Sequence, residues 1–236
     1  MQESLKRPSQ GGGDVDLKAG LLHGLSALQL SLDDMQVTRL LDYLGLIQKW
    51  TKVYNLTAVR DPAEMLTHHL LDSLAVILPL QYQLGALAEH GVATDTPRLL
   101  DVGSGAGLPG VVIAICCPHI TVHCVDTVAK KAAFIQQAAV SLRLPNLRAI
   151  HARVESLTEP YTVVSSRAFA SVADFTQWSR AALMEQGIWM GMKGKHPVDE
   201  IVALAPDVQV FHVEPLAVPG LDADRCIVWM RRKPVV

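Results

Sequence analysis

Apolar residues along this chain keep two different periods, and the change falls at Arg98. Upstream, from about Asp14 to Pro97, they recur at helical steps: Leu40, Leu41, Leu44 and Ile47 share one face of a helix. The quartet Asp61-Pro62-Ala63-Glu64 reads as a helix start, with Asp61 as cap, Pro62 in the first turn and Glu64 reaching back. A further helical stretch, HHLLDSLAVILPL, is expected to end near Pro79. Downstream come short β-rich runs: RLLDVG, TVHCVD, LRAIHA, YTVVSSR, GIWMGMK, VQVFHVE and RCIVWMRR. Helical stretches such as VAKKAAFIQQAAVSLR and SVADFTQWSRAALMEQ lie between the first five. Such alternation predicts a parallel sheet covered on both faces. The last two runs are joined by PLAVPGLDAD, which suits an antiparallel hairpin at the sheet edge.

The expected organisation is a disordered tail over 1–13, a helical region over 14–97 and an α/β domain over 98–236. Seven strands with a terminal hairpin match the Rossmann-like class I methyltransferase sheet rather than the six-stranded dinucleotide fold. The chain has 236 residues and is half hydrophobic, enough for one sizeable core. Its net charge of -2 rules out a polycation but leaves room for a local basic face. Cys116, Cys117, Cys124 and Cys226 sit in apolar runs without a CxxC pair, so a reducing, cytoplasmic setting is expected. His68-His69 and His123-x-x-Asp126 lack the further ligands a metal site needs, so no metal is expected. The start of the chain has no secretory apolar core, and the longest apolar run, Leu108 to Cys117, is about half a membrane span.

The segment LLDVGSGAGLPG, between the first strand and a helix, fits two templates. Gly103-x-Gly105-x-Gly107 suits an S-adenosylmethionine loop, whereas Gly105-x-Gly107-x-x-Gly110 is the dinucleotide spacing. Asp126, ending the second strand, could accept from ribose hydroxyls of either ligand. Asp101, beside the glycines, would repel a pyrophosphate but suit the ammonium and sulfonium of S-adenosylmethionine. S-Adenosylmethionine is therefore the expected cofactor, with an NAD-dependent oxidoreductase as the alternative.

Five segments carry a more specific likeness: WTKVYNLTAVRDPAEMLTHHLLDSL, LLDVGSGAGLPG, VDTVAKKAAFI, ARVES and SSRAFASV. Together they resemble the bacterial 16S rRNA guanine-N7 methyltransferase family, RsmG or GidB, from about Leu40 to the C-terminus. The resemblance implies methylation of guanine 527, with 16S rRNA or the small-subunit precursor as partner. It also implies cofactor contacts at Gly103, Leu108, Val154, Glu155 and Arg167. Guanine N7 carries a lone pair and no proton, so transfer needs no general base; a methyltransferase with another acceptor remains the alternative.

Arg167 and Phe169 follow the fourth strand, where acceptors meet the methyl group in this architecture. Phe169 could stack on the guanine, and Arg167 is expected at a solvent-reaching cleft where substitution would spare folding. Lys193 and Lys195 close the fifth strand and, with Arg153, could hold phosphates. Trp50 is expected to pack the helical region on the sheet domain, with Asn55 or Arg60 near the active-site mouth. One of His68 and His69 could face the cleft. Lys130 and Lys131 read as exposed, and Arg231-Arg232-Lys233 as charges guarding an edge strand.

Overall fold

The computed structural model describes residues 16–92, 96–169 and 171–234, so the expected tail lies outside them. Helix α1 (Leu17–Ala27) is capped by Asp16, and α2 (Asp34–Tyr54) by a capping box of Asp33 and Gln36. The Gln36 amide also donates to the carbonyls of Ile115 and Cys116 at 3.0 and 3.2 Å. Asp61 caps α3 (Pro62–Met65), as its sequence suggests, by accepting from the N–H groups of Ala63 and Glu64. A π-helical turn (Leu66–Leu71) follows, then α4 (Asp72–Leu74) and α5 (Ile77–Glu89). Helical structure thus passes Pro79, which sits in the first turn of α5, where a missing N–H breaks no helical bond.

The sheet comprises β1 (Arg98–Val102), β2 (Thr121–Asp126), β3 (Leu147–His151), β4 (Tyr161–Arg167), β5 (Leu183–Lys193), β6 (Val208–Pro215) and β7 (Cys226–Arg232). Its order is β3-β2-β1-β4-β5-β7-β6, with the first five parallel and β7 antiparallel to both neighbours. Helices α6 (Gly110–Cys116), α7 (Ala129–Ser141), α8 (Val172–Trp178) and α9 (Val198–Val202) lie among the strands. Strand β1 lies between β2 and β4, so the chain leaves it in opposite directions and a crevice opens above its carboxyl end.

Two expectations change. The helix expected over SVADFTQWSRAALMEQ stops at Trp178, and Leu183 to Gln186 belong to β5. Leu183 is buried opposite Tyr161, and its carbonyl accepts from Arg232 Nη2 at 3.0 Å, so strand pairing overrides local helix preference. Strand β7 is interior and β6 forms the edge; Arg232 therefore staples β7 to β5 rather than guarding an edge.

One core face joins Leu40, Tyr43 and Ile47 of α2 with Val112, Ile113, Phe134 and Trp229. The other gathers Val102, Val125, Val164, Phe175, Trp189 and Met230. Trp50 meets Phe134 edge-on at 5.3 Å, so the expected packing of the helices on the sheet domain is present. The segment Pro62–Glu89 is apolar and long enough to cross a membrane, but Leu70, Leu74, Ile77 and Leu80 are spent in this core.

Candidate active site

The glycine loop floors the crevice above β1 and satisfies its own donors. Gly103 and Ser104 donate to the carbonyl of Val125 at 2.9 and 3.3 Å, and Gly107 and Leu108 to that of Ser104 at 2.7 and 3.0 Å. Gly105 N–H goes to Asp126 Oδ2, and Gly110 N–H to Asp101 Oδ2, both at 3.0 Å. These six donors are the groups that a pyrophosphate would need. The start of α6 is likewise taken by a carboxylate, so the dinucleotide spacing here has no phosphate-binding counterpart.

The four glycines do different work. Gly103, Gly105 and Gly107 have φ of +65°, +59° and +84°, a region L side chains rarely adopt. A Cβ on Gly105 would meet nothing nearer than 4.0 Å, and one on Gly103 only Phe169, at 3.6 Å. Neither position is crowded: Gly103 is exposed beside the Phe169 ring and Gly105 is half-buried. A Cβ on Gly107 would collide with Val111, and one on Gly110 with Cys124 and Asp101. Those two let α6 pack, and Leu108 beside them is buried in the core.

Asp101 is fully buried beneath the loop, accepting from Ser165 Oγ at 2.9 Å as well as from Gly110. Burial pushes its carboxyl up to about 7, against the pull of those two hydrogen bonds. The expectation that Asp101 meets the ligand's positive charge is therefore corrected: it anchors the loop to β4 and α6. Asp126, at the end of β2, holds the loop's other side, taking Val128 N–H at 2.8 Å on Oδ1 and Gly105 N–H on Oδ2. Lys131 Nζ lies 3.8 Å from it.

Val154 is buried in a 3-10 turn (Val154–Ser156) after β3, while the adjacent Glu155 is exposed. Glu155 lines a cavity of about 540 Å³ with Trp178, Arg180 and Arg232, and none of the loop glycines borders it. Phe169 follows Ala168, whose φ of +58° turns the chain, and its ring packs 5.9 Å from Phe175 and 5.4 Å from Trp178. It flanks Gly103.

Arg167 is not free in the cleft. Its Nη1 pairs with Asp72 Oδ2 at 3.0 Å and donates to the carbonyl of His68 at 3.1 Å, tying β4 to the broken helix. Arg225, which the sequence reading missed, places Nε 2.8 Å from Asp72 Oδ1. The signal was Asp72 itself, an acidic residue inside the apolar run HHLLDSLAVILPL. Lys193 is also engaged, with Nζ 2.7 Å from Glu200 and only 13 % of its side chain exposed. Its expected phosphate contact is corrected, because α9, not foreseen from sequence, supplies that carboxylate.

Lys195 and Arg153 are exposed. Asn55 and Arg60 bond each other at 2.6 Å, and Arg60 also donates to the carbonyl of Thr51, so both serve the end of α2. Lys130 Nζ stands 5.6 Å from the Tyr54 ring, bringing that helix end to the start of α7. His69 is buried, with Nε2 3.0 Å from Thr57 Oγ1, and burial, then Arg167, lowers its pKa to about 4. His68 is half-buried beside Arg167. His123 Nδ1 meets Tyr161 Oη at 2.8 Å, and among the described residues no three His, Cys, Asp or Glu side chains gather to hold a metal.

Comparisons with known proteins bear on this site. The family model for GidB, rRNA small subunit methyltransferase G, matches residues 36–228. A ribosomal RNA small subunit methyltransferase G of Albidiferax ferrireducens is 67% identical over 222 residues, covering 93% of this chain and 99% of that protein. The protein of the same name from a Polaromonas species is 65% identical, covering 94% and 95%. The solved structure of TrmN from Thermus thermophilus superposes with a TM-score of 0.52 at 17% identity, covering 71% of this chain and 53% of that one; it speaks to the fold alone. With its seven-stranded class I sheet and a match across most of its length, the chain belongs to the GidB family and is a methyltransferase.

Proposed function

We propose that this enzyme transfers a methyl group from S-adenosylmethionine to N7 of guanine 527 in 16S rRNA, acting in the cytoplasm on the rRNA or the small-subunit precursor. The observation that carries the cofactor reading is the crevice floor, where backbone donors are satisfied internally and two glycines remain uncrowded by the protein's own atoms. Such a floor suits a ligand presenting a sulfonium and a ribose better than one presenting a pyrophosphate. The sulfonium supplies an electrophilic methyl carbon.

The protein's own groups bind and orient. Gly103 and Gly105 leave room for the ligand against the backbone, and Asp126 offers its remaining lone pairs to ribose hydroxyls. Val154 and Glu155, in the turn after β3, are assigned to the ligand by the family resemblance, and Asp101 fixes the loop from below. Phe169, braced by Phe175 and Trp178, is the stacking surface for a splayed guanine. The acceptor nitrogen arrives with its lone pair free, so no side chain has to remove a proton. Alignment of nitrogen, methyl carbon and sulfur contributes several kcal/mol (about 7–11 at the upper end).

The test is mass mapping of small-subunit rRNA from cells with and without the gene, paired with methylation of unmodified rRNA by the purified protein. Loss of a single N7-methylguanosine at position 527, restored in vitro, is expected. An unchanged map would overturn the acceptor and leave a methyltransferase of other substrate.

A further inference from the structure

We propose that Asp72 is a positioning residue whose carboxylate holds Arg225 beside Arg167, and that Arg225 binds a phosphodiester of the substrate RNA. This rests on the rRNA reading above and deepens it. Asp72 is buried among Leu70, Leu71 and Leu74, with 3% of its side chain exposed. Neutralising one buried carboxylate takes one guanidinium. Here there are two, reaching it from chain positions 95 and 153 residues away.

Both guanidiniums stand at the same sheet edge. Arg167 ends β4, and Arg225 immediately precedes β7, whose first residue, Cys226, pairs with Lys193 at the end of β5. The three side chains sum to one positive charge. Their donors are not exhausted: Arg225 spends Nε on Asp72 and Nη1 on the carbonyl of Asp224, and Nη2 has no acceptor among the described residues. Arg225 keeps 26% and Arg167 23% of its side chain exposed, so neither is sealed from solvent while each is fixed by Asp72.

A planar donor fork held this way loses little rotamer freedom on binding, and phosphate oxygens match its geometry. The neighbouring cations divide accordingly. Lys193 is occupied by Glu200, whereas Lys195 is exposed just beyond Gly194, which lies against Arg225 Nη1. Arg225, not Lys193, is therefore the fixed anion receptor at this end of the cleft.

The experiment measures binding of a fluorescent small-subunit rRNA fragment across a salt series, with single-turnover methylation of the same fragment. Wild-type protein is expected to bind and methylate it. Arg225→Ala should weaken RNA binding about tenfold and lower the salt slope by about one while S-adenosylhomocysteine affinity holds. Its melting temperature should fall as for loss of Arg167, since Asp72 keeps one partner, so Arg225→Lys, which retains the charge, serves as the folding control. Arg225→Lys should recover the slope but not the full affinity. Asp72→Asn should reproduce the RNA defect, and combining it with Arg225→Ala should add nothing. If the wild type methylates the fragment but Arg225→Ala keeps its affinity and slope, the phosphate contact is wrong and the function stands. Full additivity of the double variant would overturn the positioning role of Asp72. A wild type that neither binds nor methylates the fragment overturns both readings.

Discussion

The carboxyl edge of the sheet has two halves that handle charge in opposite ways. On the β1–β2 side, Asp101 and Asp126 are buried and satisfied chiefly by backbone N–H groups of a rigid loop. On the β4–β5–β7 side, Asp72 and Glu200 are met by the side chains of Arg167, Arg225 and Lys193. Backbone donors cannot move away, so the first half is a floor of fixed shape suited to one small ligand. Side-chain cations keep spare donors and surplus charge, so the second half suits a polyanion. The contrast also says which substitutions should change shape and which should change charge.

The largest expected effect breaks the first half. Gly105→Val would force a side chain into a φ of +59° and point it into the open crevice, so binding of S-adenosylhomocysteine should be lost in calorimetric titration. Gly107→Ala should do the reverse, lowering the melting temperature through its collision with Val111 while cofactor affinity falls less. Equal effects from both variants would erase the distinction between the cradle-facing and core-facing glycines.

Arg167→Ala comes next and breaks the second half. Methyl transfer should fall about a hundredfold in single-turnover assays, as misplaced reactants do. Contrary to what the sequence alone suggests, stability should fall too, by about 1–3 kcal/mol, because Asp72 would be left buried with one partner. Unchanged melting would mean that the ion pair to Asp72 contributes nothing to folding.

The acid–base behaviour sharpens the comparison further. Asp101, near 7 in the folded state and near 4 when unfolded, favours the protonated native form; its contribution is present below pH 4 and lost as pH rises to 7. His69, near 4 when folded and near 6.5 when unfolded, works the other way; its contribution is present above pH 6.5 and lost as pH falls towards 4. The two contributions, on the order of 4 kcal/mol for Asp101 and on the order of 3 kcal/mol for His69, oppose each other in the wild type. Asp101→Asn should leave stability that climbs from pH 4 to 6.5, and His69→Gln stability that declines from pH 4 to 7. Denaturant titrations along this range give the answer, and parallel profiles would refute it.

The smallest effect is expected at Lys193. With its ammonium on Glu200, Lys193→Ala should change RNA affinity less than twofold and stability by no more than about 1 kcal/mol. A large drop in the salt slope would return Lys193 to the RNA-binding set.

How far the sequence could be read follows the range of each interaction. The glycine loop, the Asp61 cap and the seven strands are written in adjacent residues, and all were legible. Asp101 was located but misassigned, because burial depends on Ser165 and Gly110, and neither is its neighbour in sequence. The Asp72–Arg225 pair spans 153 residues, and nothing local marks it beyond a lone acid in an apolar run. Lys193 is the instructive failure, since its partner lies only seven residues ahead. Pro197 with Asp199 and Glu200 after it is a helix-start signal, and recognising α9 would have shown the lysine to be occupied.

Tyr43 donates its hydroxyl to the carbonyl of Ala106, and its ring stacks near Phe134, so one residue of α2 braces both the glycine loop and α7. That brace has a consequence for synthesis. The helices leave the ribosome before the strands they cover, and the part of the Leu40–Tyr43–Ile47 face that meets α6 and α7 has no partner until those helices have been made. During that interval the nascent chain carries an uncovered apolar stripe, the kind of surface chaperones hold. A fragment ending at Pro97 would keep the part of that stripe facing α6 and α7 bare and should self-associate rather than stand alone.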